Sequence, residues 1–143
     1  MNVGPTAGRQ SQRRRNLKRL LAPRHVAFVG GQGIAGAIRQ CAAAGFSGAV
    51  WPVNPKYAEL GGQPCFKSLA ELPAAPDATF LAVPREAAVT VVRELAAMGA
   101  GGCVCYAAGF AEVGGEGVAL QQALVEAAGD LALVGPNCYG LLN

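Results

Sequence analysis

A glycine run stands where a strand pattern hands over to a helical one: Gly30-Gly31-Gln32-Gly33-Ile34-Ala35-Gly36. Gly31, Gly33 and Gly36 fit the spacing GxGxxG. Glycines so spaced let a backbone approach a pyrophosphate closely, and the helix start behind them offers free N–H groups and a favourable dipole. Alone the pattern is unspecific. It gains weight because the uncharged run 25–29 precedes it and a helical pattern opens at Ile34.

An NAD site asks for a carboxylate about 20 residues further on, to hold the ribose hydroxyls. The segment there reads Trp51-Pro52-Val53-Asn54-Pro55-Lys56, with an amide and a cation in place of the acid. The exchange favours a nucleotide whose ribose carries a phosphate, either NADP or coenzyme A (CoA). A plain solvated loop lysine is the competing reading of Lys56. Further candidates follow later apolar runs: Val83-Pro84, then Tyr106-Ala107-Ala108, then Gly135-Pro136-Asn137-Cys138. Pro84 also suits the first position of a helix, where its missing N–H costs nothing. Cys138 could act as a nucleophile, but the only histidine is His25, so a Cys–His pair has no obvious partner. The other cysteines read as small core residues.

These residues need elements to hold them. Apolar runs at 25–29, 49–53, 79–83, 102–106 and 131–134 alternate with helical patterns at 34–44, 85–98 and 117–128. Ala88, Val91, Val92, Leu95 and Met98 form one apolar face of the second helix, and Gly45 suits the end of the first. Pro52 places its strand at a sheet edge. A single turn over 68–72 starts with Ser68 as a cap and stops at Pro73. Strands alternating with helices imply βαβ units, and continuous apolar strands imply burial on both faces. The expected fold is α/β, a Rossmann-like doubly wound parallel sheet in a single domain, with its ligand beyond the carboxyl ends of the strands.

Composition agrees and excludes. With 143 residues, 52% hydrophobic and 15% charged, the chain suits one folded domain and not global disorder. Aromatics at 6% leave little from which to build a base-stacking platform. The net charge of +3 hides a split: residues 1–24 hold seven basic side chains and no acid, so 25–143 carry five basic and all nine acidic groups. Residues 1–16 are expected to be a basic, flexible leader and 17–143 the domain. Arg13-Arg14-Arg15 could meet nucleic acid or anionic lipid, but a solvated extension is the simpler reading, so neither nucleic acid nor membrane is expected as a partner. No secretory pattern opens the chain. Five cysteines without a CxxC pair suit a reducing, cytoplasmic location and no metal.

The motifs together resemble the CoA-binding domain of NDP-forming acyl-CoA synthetases, relatives of the succinyl-CoA synthetase α subunit. The resemblance covers about residues 17–143 and rests on Leu20-Leu21-Ala22-Pro23-Arg24-His25-Val26-Ala27-Phe28-Val29-Gly30, Pro52-Val53-Asn54-Pro55-Lys56-Tyr57 and Ser68-Leu69-Ala70-Glu71-Leu72-Pro73. It continues with Ala82-Val83-Pro84, Ala108-Gly109-Phe110-Ala111-Glu112 and Gly135-Pro136-Asn137-Cys138-Tyr139-Gly140-Leu141-Leu142-Asn143, the most specific of the set. It implies CoA lying across the strand ends. Gly30, Gly31, Gln32, Gly33 and Gly36 would form the phosphate loop, and Asn54 and Lys56 would meet the phosphorylated ribose. Val83 and Pro84 would line the adenine and pantetheine side, with Tyr106, Ala107 and Ala108 along the arm and Asn137 and Cys138 near the thiol. Two features depart from the family: a shorter glycine loop, and Ala107 where serine is usual. The family's phosphoryl relay uses a histidine in a following domain, and ATP or GTP binds an ATP-grasp domain or subunit. The expectation is thus a binding module of a longer ligase with no catalytic residue of its own. An NADP domain of an oxidoreductase and a standalone CoA sensor are the alternatives.

Overall fold

The chain was analysed as a computed structural model that describes residues 5–140. In chain order the elements are α1 (Pro5–Leu21), β1 (His25–Gly30), α2 (Ala35–Ala43), β2 (Ala49–Val53), and the two-residue strands β3 (Glu59–Leu60) and β4 (Gln63–Pro64). They continue as β5 (Ala78–Ala82), α3 (Arg85–Ala97), β6 (Gly102–Cys105), α4 (Glu116–Ala128) and β7 (Ala132–Val134). Single 3₁₀ turns span Gln32–Ile34, Leu69–Glu71 and Ala111–Val113.

Five strands build one sheet in the order β2-β1-β5-β6-β7, and every neighbouring pair is parallel. Strand order therefore reverses direction between β1 and β5, which makes that gap the topological switch point. Pro52 lies on the outermost strand, opposite Phe28, as the sequence indicates. Alternation along the strands divides the core in two. Val29, Leu81, Cys103 and Cys105 pack with Ala88, Val92, Leu95 and Leu124 of α3 and α4. Phe28 packs with Ile34 and Ile38 on the α2 side, and Ala78 and Val104 pack with Leu20 of α1. Helices thus cover both faces, and the doubly wound expectation holds.

Helix α1 is the main departure from expectation, since it runs from Pro5 across the anticipated boundary at residue 16. Arg9 and Arg13 both donate to Asp130 Oδ1, at 2.8 and 3.1 Å, and Asn16 Nδ2 donates to the Asp130 carbonyl at 2.8 Å. Leu20, only 6% exposed, lies against Gly102, where a Cβ would stand 2.7 Å from the Leu20 Cβ. Arg9 and Arg13 read as solvated from the sequence because their partner, Asp130, stands 121 and 117 residues away.

Asp77, just before β5, fixes the other end of this helix. Its buried carboxylate accepts from Arg19 Nε at 2.6 Å, from Arg24 Nε at 2.9 Å and from the Arg24 backbone N–H at 3.0 Å. Its own N–H donates to His25 Nδ1 at 3.1 Å, and His25 stacks on Trp51. Burial pushes the Asp77 carboxyl up, but the bonds from Arg24 and Arg19, with His25 alongside, outweigh it and hold the group well below the usual carboxylate range.

Smaller differences are local. Gly45 and Gly99 close α2 and α3 in left-handed conformation, each with the paired backward bonds that satisfy the last carbonyls. Strand β5 ends at Ala82, which leaves Val83 to the loop, and Pro84 is the N-cap of α3, one position before the expected one. The Ser68 side chain caps nothing; the Glu71 carboxylate takes the Lys67 N–H instead, at 2.8 Å. Among the described residues no helix is long and apolar enough to cross a membrane.

Candidate functional site

The glycine run divides its work differently from the GxGxxG reading. The close approach falls on Gly30, the last residue of β1, where a Cβ would lie 2.7 Å from the Ala82 carbonyl and 2.9 Å from Ile34 Cγ2. At Gly31, Gly33 and Gly36 a Cβ would meet nothing within 4 Å. Gly31 caps the 3₁₀ turn that leads into α2, and no side chain caps either start. The first turn therefore keeps N–H groups for which the helix has no acceptor.

The segments after β1, β5, β6 and β7 meet at the switch point around a cleft of about 720 Å³. Gly31, Gly33, Val83, Pro84, Tyr106, Ala107, Ala108 and Asn137 line it, all expected from the sequence. Among the described residues no charged side chain lines it. Asn137 holds its turn in left-handed conformation and donates its N–H to the Ala107 carbonyl at 2.8 Å, so the last two loops are locked together. Behind them Arg85 Nη1 donates to the Gly109 carbonyl, and the Gly109 N–H donates to Glu112, each at 2.6 Å. The bond from Gly109 holds the Glu112 carboxyl below its usual range.

Six expected residues stand outside the cleft lining. Gly30 lies beneath it, while Gln32 and Gly36 belong to the turn and helix beside it. Asn54 is a brace: its Nδ2 donates to the Gly30 carbonyl and its Oδ1 accepts the Lys56 N–H, both at 2.8 Å. It ties the loop after β2 to the glycine run, and Lys56 in that loop is exposed. Cys138 is half-buried, with Sγ 3.5 Å from the Gly140 carbonyl. Cys103 and Cys105 are buried core groups whose thiols burial pushes up, in keeping with a packing role.

Five lining residues escaped the sequence reading: Ile34, Ala37, Phe80, Ala82 and Tyr139. Phe80 and Ala82 share a face of β5 by alternation, and Ile34 and Ala37 share one by helical spacing, so those signals were present. For Tyr139 the signal is its place directly after Asn137 and Cys138 in the motif 135–143. Phe28, Phe80, Tyr106 and Tyr139 form a continuous aromatic series, with successive ring centroids 6.0, 6.0 and 5.4 Å apart.

Comparison with known proteins agrees with this geometry. The family model for the CoA binding domain matches residues 24–143. A trans-feruloyl-CoA synthase from an unknown prokaryotic organism is 40% identical over 134 residues, covering 89% of this chain and 19% of that protein. ADP-forming acetate–CoA ligase I of Archaeoglobus fulgidus is 38% identical over 132 residues, with the same two coverages of 89% and 19%. The dinucleotide forming acetyl-coenzyme A synthetase 1 of Ca. Korarchaeum cryptofilum superimposes with a TM-score of 0.77 at 30% identity, over 87% of this chain and 28% of that one. The chain spans about a fifth of the length of the curated relatives it matches. With the sheet order, the cleft at its switch point and the match over 24–143, the chain belongs to the family of CoA-binding domains, in the branch represented by ADP-forming acyl-CoA synthetases.

Proposed function

We propose that this chain is the CoA-binding module of an NDP-forming acyl-CoA synthetase, and that CoA lies in the cleft at the switch point. The observation that carries the reading is the meeting of four loops there with no carboxylate among the described lining residues to repel a polyanion. In this placement the turn at Gly31, Gln32 and Gly33 meets the diphosphate with its backbone N–H groups. Lys56 faces the ribose phosphate from the rim, held at its base by Asn54. Val83 and Pro84 flank the adenine and upper pantetheine, Tyr106, Ala107 and Ala108 line the arm, and Asn137 and Cys138 mark the thiol end.

The chain's own work is to bind and orient the thiol. Histidine phosphorylation and nucleoside triphosphate binding belong to other domains or subunits of the whole protein. The five free thiols fit a reducing, cytoplasmic setting for that protein. The relatives differ in the acid they name (ferulate, acetate, 4-hydroxybutyrate), so family membership alone does not fix the acyl group. Isothermal titration of the chain decides the nucleotide: heat is expected with CoA and acetyl-CoA and none with NADPH. Binding of NADPH without CoA overturns the reading.

A further inference from the structure

We propose that Arg85 is a positioning residue of the cleft: its guanidinium clamps the turn at Gly109 and so presets the segment Tyr106-Ala107-Ala108 along which the pantetheine arm lies. The proposal rests on the placement of CoA given above and adds a residue to which the family resemblance gives no role. Arg85 does not line the cleft; it follows Pro84, which does, as the first residue of α3. Its Nη1 donates to the Gly109 carbonyl at 2.6 Å and its Nε to Glu86 Oε1 at 2.8 Å. One side chain thus joins the loop after β5 to the loop after β6, and both loops supply lining residues.

The loop after β6 is fastened at both ends and weak in the middle. The Tyr106 N–H donates to the Leu81 carbonyl at 2.9 Å, the Asn137 N–H holds the Ala107 carbonyl at 2.8 Å, and Phe110 is fully buried. Between them the backbone passes through Gly109 at φ +94°, where glycine has freedom that other residues lack. The Gly109 N–H is taken by Glu112, but that side chain is exposed and belongs to the same loop. Among the described residues Arg85 alone ties Ala108 or Gly109 to another element. Its stem packs on the turn as well, since a Cβ at Gly109 would stand 2.9 Å from Arg85 Cδ. Glu86 and, at 3.8 Å, Glu116 match the guanidinium charge where it stands, so Arg85 acts through geometry and not as a phosphate ligand. A segment ordered before the ligand arrives does not have to be ordered by it, and that saving appears as affinity. The adenosine and phosphates meet the glycine turn and Lys56, so the saving falls on the arm.

The test titrates the parent chain and Arg85→Leu with two ligands. One is CoA; the other is adenosine 3′-phosphate 5′-diphosphate, which keeps the nucleotide and its phosphates and lacks the arm. Arg85→Leu is expected to weaken CoA about three- to tenfold, the size of ordering a short segment on binding, and to leave the armless nucleotide unchanged. Equal loss for the two ligands overturns the proposal, because it marks a role in charge or in folding at large. Should Arg85→Leu melt early, Arg85→Lys is read in its place. It keeps a cation without the planar fork and should show the same selective loss at smaller size. If the parent binds CoA and the variant loses none of that affinity, this inference fails and the CoA site stands. If the parent binds no CoA, the CoA reading fails and takes this inference with it.

Discussion

A methyl group added at Gly30 would press on the Ala82 carbonyl and on Ile34, whereas one added at Gly31 meets open space in the cleft. The backbone contact cannot yield as a side chain would, so Gly30→Ala is expected to destabilise by about 1–3 kcal/mol, read as a lower denaturation midpoint. Gly31→Ala should leave that midpoint in place and weaken CoA, because the new methyl occupies space the diphosphate needs. Equal loss of stability in both variants would contradict this division. Lys56 tests the other phosphate. Lys56→Ala is expected to weaken CoA by roughly three- to tenfold, as for an exposed charge-assisted contact, and to leave dephospho-CoA almost unchanged. A comparable loss for both ligands would remove Lys56 from the ribose phosphate.

The elements are joined where charge is buried, at Asp77. Its carboxyl is depressed in the folded chain, so its stabilisation is fully present above the unfolded value near 3.9 and is lost as pH falls through the lower folded value. Asp77→Asn should therefore cost stability at neutral pH, by about 3 kcal/mol, and flatten the decline of the melting temperature below about pH 4. A variant that melts like the parent at pH 7 would show that Arg19 and Arg24 find equivalent partners. Helix α1 offers a second test at this scale. A chain starting at Leu17 loses the Asn16–Asp130 bond but keeps Leu20, whereas one starting at Pro23 uncovers Ala78 and Val104. The first should fold with lowered stability and the second should aggregate, as light scattering would record; matching behaviour would mean that α1 does not cover the sheet.

Across the whole molecule, what the sequence made legible was whatever depends on near neighbours. Continuous apolar strands, Pro52 on an edge, and the end of α2 at Gly45 all follow from local chemistry. So did most of the cleft, because parallel topology sends every strand end to one rim. Long-range partners were not legible. Arg9 and Arg13 of α1 have a structural role only because Asp130, 121 and 117 residues further on, comes back to meet them, and the strands β3 and β4 are too short to carry a pattern. Tyr139 joins the cleft because the Asn137 turn folds back on Ala107, a path that no periodicity encodes.

The Asp77 hub and the cleft occupy opposite rims of the sheet. β1 and β5 are six and five residues long. At about 3.3 Å per residue the rims stand roughly 15–20 Å apart. Each rim is built from its own residues, and the Asp77 charge is matched where it stands by Arg19 and Arg24. Evolution or an engineer can redraw the pocket's preferences one loop at a time, while the clasp that keeps the chain folded remains deaf to the change.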